Sequence, residues 1–265
     1  SRGLGDVYKR QDLADQVFTP PKDFILQKQV DKIFSDRRQM AEGKIPVNWG
    51  FAENMAYATL LDQGYPIRFS GQDIRRGTFS HRHAVVLNQQ DGRGCIPLVD
   101  IAKNADTTFD VYASLLSEEA VLGFEYGYSQ ADPKTLVIWE AQFGDFSNGA
   151  QTIIDQFITT GERKWLRMSG LTLLLPHGHE GQGPEHTSSR LERFLQMCAE
   201  DNIQVANCTS PANYFHILRR QMMIDFRKPL VLMTPKSTLR HKANTSALKD
   251  FVNGSTFHRV LSNPL

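Results

Sequence analysis

The sequence predicts a three-layer α/β/α fold built on a mostly parallel sheet. From residue 111 onward, short apolar runs alternate with amphipathic stretches, which is typical of β-strands joined by crossover helices. Such crossovers are right-handed and cover both faces of a parallel sheet. The runs "KTLVIWEA", "LTLLLP" and "PLVLMTP" are continuously apolar, which favours strands that are buried on both faces.

The first part of the chain predicts two helices, a strand and a loop. Residues 20–43 open with a Pro pair and predict an amphipathic helix that ends near Gly43. Residues 49–64 predict a second helix, for which Gly64 is the stop. The stretch "YPIRFSG" follows as a short strand. The polar, glycine-punctuated residues 72–94 are expected to be largely loop.

The second part predicts four helices between strands. "SEEAVLGFEYGYS" is a helix with Ser117 as its N-cap, and "NGAQTIIDQFITTG" carries an apolar stripe. "SRLERFLQMCAE" opens with a capping box in which Ser189 stands three residues before Glu192, and "PANYFHILRRQMM" begins with Pro. "IQVAN" adds a further strand. Loops at the carboxyl ends of parallel strands line ligand crevices, so we expect a site after "KTLVIW" and after "LTLLLP".

Composition excludes several classes of protein. The chain has 265 residues, 40% of them hydrophobic, and a formal net charge of +1, so no global basic field is directed at nucleic acid. Its apolar runs are far shorter than the roughly 18 to 20 residues of a membrane span. The three cysteines, Cys95, Cys198 and Cys208, are scattered without a CxxC and predict a reducing compartment without a disulfide frame.

The ends of the chain suggest a piece of something longer. Residues 1–11 connect to no periodic pattern, include no initiating Met and lack a signal-peptide layout, so we expect a foreign scar of cloning or sequence assembly. Residues 12–44 are interpreted as a helical linker and residues 45–250 as the main domain. Residues 251–265 are interpreted as a truncated C-terminal connection.

The stretch "PHGHEGQGPEH" concentrates titratable groups after a predicted strand. A metal site could use His177, His179 and His186 with Glu180 or Glu185. The spacing does not match HExxH, and the first two histidines would point to opposite faces of a strand. We therefore predict no metal site, with a metal-dependent hydrolase kept as an alternative.

Other enzyme motifs fail on spacing. "GDFSNG" has one residue too many for the G-x-S-x-G of a serine hydrolase. No P-loop and no G-x-G-x-x-G occurs in the chain.

Two acids, Glu118 and Glu119, begin a predicted helix. The structural explanation is that acids stabilise the positive end of a helix by about 0.3 to 1 kcal/mol. The functional explanation requires one of them in a dry pocket, where desolvation favours a protonated carboxyl that can share its proton with a ligand nitrogen. Four neighbouring apolar residues could provide that dryness: Leu115, Leu116, Val121 and Leu122.

A basic stretch, "RRGTFSHRH", lies in the predicted loop. It contains Arg75, Arg76, His81, Arg82 and His83. It is either a solvated basic loop or a grip for an anion or carboxylate, for which the fork of an arginine is suited.

Six stretches in this order resemble one enzyme family. They are "WGFAENMAYATLL", "SGQDIRRGTFSHRHAV", "LSEEAVLGFEYGYS", "WEAQFGDFSNGAQTIIDQFI", "LLPHGHEGQGPEHTSSRLERFLQ" and "KSTLRH". Together they resemble the thiamine diphosphate-dependent decarboxylating components of 2-oxoglutarate dehydrogenase complexes, over roughly residues 20–250. The match is to the central transketolase-like pyrimidine-binding domain. The family's GDG motif with a downstream Asn, which binds the metal and the diphosphate, belongs to a preceding domain.

The resemblance implies an activity and its partners. The family decarboxylates 2-oxoglutarate with thiamine diphosphate and Mg²⁺ and passes the succinyl group to the lipoyl-bearing dihydrolipoamide succinyltransferase, a step of the tricarboxylic acid cycle. A homodimer is implied, because the cofactor lies between the diphosphate-binding domain of one subunit and the pyrimidine-binding domain of the other. The implied compartment is the bacterial cytoplasm or the mitochondrial matrix, with no nucleic acid or membrane as partner.

The resemblance also assigns residues. Glu118 is implied to hydrogen-bond the aminopyrimidine ring, and Leu116 to pack against the cofactor. Phe146 is implied to stack on the pyrimidine, with Gln142 nearby. His186 is implied to be the active-site histidine near the substrate.

The residues around His186 agree with that assignment. The positive end of the helix expected to start near Ser189 would favour a neutral imidazole. His177 and His179 are expected to be structural. Three glycines would let the backbone approach a ligand closely: Gly178, Gly181 and Gly183.

One departure from the family pattern concerns the basic loop. Ile74 stands where the family typically has Ser or Thr, so the polar details of this loop are open. Gln72, Asp73, His81 and His83 are further candidates for substrate or loop contacts. Two alternatives for the whole chain are a non-catalytic dimerisation fragment and a related 2-oxo acid decarboxylase or carboligase.

Overall fold

A six-stranded sheet, parallel throughout, forms the centre of the computed structural model, which describes residues 4–180, 183–252 and 254–262. The strand order is β4-β1-β5-β6-β8-β7, and β2 and β3 form a separate antiparallel pair. This confirms the predicted fold class. The strands are β1 Ile67–Gly71, β2 Val86–Leu87, β3 Gly94–Cys95, β4 Phe109–Ala113, β5 Leu136–Glu140, β6 Thr172–Pro176, β7 Gln204–Asn207 and β8 Leu230–Thr234.

Helices cover both faces of this sheet. They are α1 Val7–Phe18, α2 Lys28–Ala41, α3 Trp49–Asp62, α4 Pro97–Asn104, α5 Glu118–Ala131, α6 Gln151–Ile153, α7 Gly161–Trp165, α8 Leu191–Met197 and α9 Pro211–Met223. Shorter turns are the 3₁₀ segments Gly144–Ala150, Pro184–His186, Ser237–Arg240 and Leu248–Phe251 and the π-helical turn Ile154–Ile158. None of the described helices combines the length and apolar character needed to cross a membrane.

Successive side chains of the central strands pack into two separate hydrophobic cores. Ile138 of β5 joins the core that contains α3 and α9, while Trp139 joins the core under α5. Successive side chains of a strand point to opposite faces, so each central strand supplies both layers. This explains why the central strands are continuously apolar.

The register aligns the carboxyl ends of three strands. Gly71 at the end of β1 pairs with Ala113 of β4 on one side and with Glu140 of β5 on the other. The three loops that follow therefore leave the sheet at one level, side by side.

Several elements differ from the sequence prediction. The helix expected over 20–43 begins at Lys28, and the one expected over 148–161 is divided among the 3₁₀ segment, α6 and the π-helical turn. The prediction missed α4 and β4. Since β4 is an edge strand with Tyr112 and Ala113 exposed, it shows no continuous apolar run.

Residues 4–11, the described part of the stretch expected to be a scar, belong to the folded chain. Residues 7–11 form the start of α1, which Asp6 caps by accepting a hydrogen bond from the amide of Lys9. Arg10 is buried and donates to the carbonyl of Ala41 at 2.9 Å. The absence of a pattern in this stretch therefore did not mean an absence of structure, while its foreign origin stays a prediction.

Helix α3 is surrounded by protein. All of its residues from Trp49 to Leu61 are buried, including the polar Glu53 and Asn54. The helix packs against α9, α4 and α1. Because buried polar groups need hydrogen-bond partners, Glu53 must find its partners inside the core.

The partner of Glu53 is Arg82. The fully buried guanidinium donates to Glu53 Oε2 at 2.9 Å and to Glu140 Oε1 at 2.7 Å. It also donates to the carbonyl of Ile74 at 3.1 Å. One side chain of the 72–94 region thereby joins α3 to the end of β5.

Electrostatics favours the charged forms of this pair. Burial acts to lower the pKa of Arg82, but attraction to Glu140 and Glu53 outweighs it and the pKa is raised. Burial acts to raise the pKa of Glu53, but attraction to Arg82 and hydrogen bonds from Arg82 and Tyr214 outweigh it and the pKa is lowered. Arg82 fits neither interpretation of the basic loop. It is not solvated, and it cannot bind an anionic ligand because its guanidinium already binds two carboxylates of the protein.

We expect Arg82→Met to destabilise the chain by about 3 to 5 kcal/mol, because it leaves two buried carboxylates without their cation. Urea unfolding followed by circular dichroism measures the loss. Arg75→Met, at an exposed position, is the control and should change stability by no more than about 0.5 kcal/mol. A loss below about 1 kcal/mol for the Arg82 variant would contradict the role of this network.

Candidate functional site

The loops after β1, β4 and β5 converge on a small cleft at the carboxyl edge of the sheet. Its polar lining includes Gln72 from the first loop, Ser117 and Glu118 from the second, and Gln142 from the third. Three residues that resemblance or position had singled out are thus brought together. The cleft lies where crevices of parallel α/β sheets bind ligands.

Glu118 is the first residue of α5 and lies half-buried in this cleft. Ser117 caps the helix as predicted, since its hydroxyl accepts a hydrogen bond from the amide of Ala120. Gln72 Nε2 donates to Glu118 Oε1 at 3.3 Å. A Cβ placed on Gly149 would lie 3.4 Å from Glu118 Oε2, so this glycine leaves open the space beside the second oxygen.

The apolar shelter expected around Glu118 is present only in part. Leu122, one turn along the same helix, is buried, but Leu115 and Leu116 are 81% and 84% exposed. The two leucines therefore do not dry the carboxyl group within this chain. They offer apolar surface next to it instead.

The loops after β1 and β5 are tied together. Gln142 Nε2 donates to Asp73 Oδ2 at 3.2 Å, and Asp73 itself has a left-handed φ of 57°. A Cβ on Gly71 would lie 2.3 Å from the carbonyl oxygen of Glu140, so only glycine permits this approach. Ile74, the departure from the family pattern, is fully buried and provides the carbonyl that Arg82 binds.

His186 lies in an aromatic setting. Its ring is perpendicular to Phe143 at a centroid distance of 4.4 Å, and it meets Phe146 at 5.3 Å. Glu185 Oε1 lies 3.1 Å from His186 Nδ1, but this nitrogen has no hydrogen bond of acceptable geometry among the described residues.

The segment 142–149 connects the two groups. Gln142 lines the Glu118 cleft and Gly149 faces the Glu118 carboxylate, whereas Phe143 and Phe146 contact His186. Phe146 thus lies beside the histidine. Glu118 and His186 make no direct contact in the described part of the chain, and this segment lies between them.

The predicted capping box at Ser189 was wrong. Helix α8 begins at Leu191 after Arg190, which has a left-handed φ of 55°, and no side chain caps it. The hydroxyl of Ser189 donates to Met233 Sδ at 2.6 Å instead. The helix therefore begins two residues later along the chain than the expected start near Ser189.

His177 and His179 follow β6 in a loop rather than in a strand. Their ring centroids are 5.8 Å apart, so the two rings do not point to opposite faces as the spacing suggested. His177 Nδ1 accepts a hydrogen bond from the amide of Ser189 at 3.1 Å. Burial, then the nearby His179 and Lys236, lower the pKa of His177, which favours the neutral acceptor.

Two of the three glycines singled out in this stretch have a positive φ. Gly178 and Gly183 have positive φ values of 158° and 95°. Gly181 lies outside the described residues.

The acids of this stretch are not arranged as metal ligands. Glu180 accepts a hydrogen bond from the amide of Ser237 at 2.7 Å. Within the described ranges, no group of three or more His, Cys, Asp or Glu residues is placed to hold a metal ion.

His81 and His83 lie inside the folded loop. Burial, then the charge of Arg82, lower the pKa of His81 to about 3, and burial and Arg37 lower that of His83 to about 4. His81 lies 3.9 Å from Glu53, and His83 Nε2 pairs with the carbonyl of Ser80. Neither ring is among the residues that line the Glu118 cleft, and their contacts with substrate stay a prediction.

Three residues near the candidate site escaped sequence reasoning. Phe143 contacts His186, Asp145 binds the backbone that follows the histidine, and Lys236 donates to the carbonyl of His186. Phe143 and Asp145 lie within the quoted "EAQFGDF" and Lys236 begins "KSTLRH", so position after a strand was the available signal.

Comparison with known families identifies the domain. A family model described as "Transketolase, pyrimidine binding domain" matches residues 45–242. The chain belongs to the transketolase pyrimidine-binding domain family. The matched residues 45–242 include all six strands of the parallel sheet and the loops that converge at its carboxyl edge.

Three curated relatives of the pyrimidine-binding domain share one name. The 2-oxoglutarate dehydrogenase E1 component of Brucella anthropi is 57% identical over 251 residues, which is 95% of this chain and 25% of the relative. Proteins of the same name from Brucella ovis and Brucella canis are 56% identical over the same shares. The chain thus spans about a quarter of the length of these relatives, and the resemblance inferred from the sequence is confirmed.

The depressed pKa of His81 predicts a pH dependence of stability. An unfolded histidine titrates near 6.5, so the unfolded state binds more protons than the folded state between about 6.5 and about 3. Stability should therefore fall as the pH drops through this window, by up to about 1.4 kcal/mol per pH unit for one histidine. Urea midpoints at pH 7, 6 and 5 measure the slope.

His81→Asn should flatten that slope, even if it also lowers stability at pH 7, because it removes one of the groups that must protonate on unfolding. His258→Gln removes an exposed ring and is the control. An unchanged slope in the His81 variant would refute the assignment.

Proposed function

We propose that this pyrimidine-binding domain provides one wall of a thiamine diphosphate site in an enzyme that oxidatively decarboxylates 2-oxoglutarate and transfers the succinyl group to lipoamide. The observation that carries the proposal is the half-buried carboxylate of Glu118, which Gln72 orients at the convergent ends of three strands. The names of the relatives from three Brucella species support the choice of substrate.

The side chains at the cleft fit an aminopyrimidine. A carboxyl group can exchange a hydrogen bond with a ring nitrogen, and Gln72 satisfies one oxygen of Glu118 while Gly149 leaves space beside the other. The exposed Leu116 offers an apolar contact, and the half-buried ring of Phe146 offers an aromatic one. When bound, thiamine diphosphate supplies a nucleophilic carbon and an electron sink.

The residues of this chain then have distinct tasks. Glu118 holds a proton at the ring nitrogen, and Gln142 together with Asp73 keeps the floor of the cleft in place. His186 serves the substrate side, where the two ring nitrogens of an imidazole can donate or accept hydrogen bonds. The rings of Phe143 and Phe146 limit the positions that the imidazole can take and exclude water from two of its sides.

A partner subunit completes the proposed site. The diphosphate and Mg²⁺ are assigned to a different domain, contributed by the partner subunit of a homodimer, and residues 45–250 are the domain that meets it. The exposed side chains of Leu115 and Leu116 beside Glu118 support such a covering partner. The lipoyl-bearing dihydrolipoamide succinyltransferase is the acceptor that this reaction requires. The cytoplasm or the mitochondrial matrix is the proposed compartment, with a place in the tricarboxylic acid cycle.

We expect Glu118→Gln in the full-length enzyme to lower kcat by about 10² to 10⁴-fold, because an amide cannot hold the transferable proton. Oxidation of 2-oxoglutarate with an artificial electron acceptor measures turnover. Glu119→Gln, at the exposed neighbouring position, is the matched control and should keep most of the activity. Near-normal turnover of the Glu118 variant would refute the assignment of the acid.

A comparison of two histidines tests the substrate side. His186→Ala should impair turnover more than His179→Ala, since the ring of His186 faces the segment next to the cleft while that of His179 packs on His177. Steady-state kinetics of the two full-length variants decide between them. The reverse order would exclude His186 as the active-site histidine.

A further inference from the structure

Side chains from outside the segment hold the backbone of residues 186–190, here called the His186 segment. Asp145 Oδ1 accepts hydrogen bonds from the amides of Thr187 and Ser188, each at 3.1 Å. The amide of Ser189 donates to His177 Nδ1, as described above. A Cβ on Gly144 would lie 2.5 Å from Ser189 Cβ, so the segment packs directly on the backbone that carries Phe143.

The remaining backbone anchor is an ammonium group. Lys236 lies just after β8, is 1% exposed, and its Nζ donates to the carbonyl oxygen of His186 at 2.5 Å. The same Nζ lies 5.9 Å from the ring centroid of Phe143. Among the described residues, Lys236 forms no salt bridge within 4.0 Å. Burying an amine donor is costly unless it has a hydrogen-bond partner, and the carbonyl of His186 is that partner.

The contacts of the His186 ring complement this arrangement. The ring is held by two aromatic neighbours, and its Nδ1 has no hydrogen bond among the described residues. Glu185 Oε1 lies 3.1 Å from this nitrogen, but the contact lacks hydrogen-bond geometry and the glutamate side chain is exposed, so it holds the ring weakly. The position of the imidazole therefore depends mainly on where the backbone of His186 is held. Lys236 and Asp145 hold that backbone from opposite ends of the short stretch 186–188.

We propose that Lys236, together with Asp145, is a positioning residue that sets the His186 imidazole through its backbone. This role rests on the proposed function of His186. A displacement of the imidazole by about 1 Å can cost up to about 10²-fold in rate. Lys236 therefore affects turnover without touching the substrate, and its removal loosens the His186 segment.

The test uses the full-length enzyme with Lys236→Met, which keeps the length of the side chain and removes the donor. Hydrogen exchange by mass spectrometry should show faster exchange of the amides at 187–189, and kcat should fall about 10- to 100-fold with KM changed by less than about twofold. Lys134→Met, at an exposed position, is the matched control for both measurements. Asp145→Ala loosens the same segment from its other anchor and should reproduce the pattern, should Lys236→Met fail to fold.

A double variant separates positioning from direct action. Lys236→Met combined with His186→Ala should turn over like His186→Ala alone, within about twofold, because both changes remove the same function. Additive losses, an increase in KM caused by Lys236→Met, or unchanged exchange at 187–189 would overturn the proposal. If His186→Ala itself retains normal turnover, the proposed function of His186 fails, and the exchange measurement still decides whether Lys236 anchors the segment.

Discussion

The pairing of Arg82 with two buried carboxylates is the constraint on which the architecture of the site depends. Glu53 comes from a helix in the core and Glu140 from the last position of a central strand, and neither could remain charged there without the guanidinium. Hydroxyl groups of Tyr57 and Tyr214 complete the shell of Glu53 at 3.2 and 3.0 Å. By also binding the carbonyl of Ile74, Arg82 fixes the loop that delivers Gln72 to the candidate site.

From this fixed point the site is built outward by one short segment. Residues 142–149 leave the sheet directly after the strand that ends in Glu140, and they contact the Glu118 cleft at both of their ends. In between they present Phe143 and Phe146 to His186 and Asp145 to the backbone beyond it. The two parts of the site therefore share one support, so that a shift of this segment would move both together.

The sequence was informative where local rules act and uninformative where partners are distant. Continuous apolar runs predicted β5, β6 and β8, and position after those strands led to the region of the site. The edge strand β4 lacked such a run. The burial of Arg82 was missed because nothing local distinguishes an arginine that meets Glu53, 29 positions earlier, and Glu140, 58 positions later, from one in water. The capping box at Ser189 failed because a tertiary contact to Met233 competed for the hydroxyl.

The enclosure of α3 has a consequence for the order of events on the ribosome. Its apolar surface is covered largely by α9, and Tyr214 of α9 meets Glu53 across 161 positions of sequence. At typical translation speeds this separation corresponds to a delay of roughly 10 to 30 seconds, during which a mainly apolar helix has been synthesised before α9, which covers it. Transiently exposed apolar surface of this kind is what chaperones bind, so we expect the domain to need their protection during synthesis.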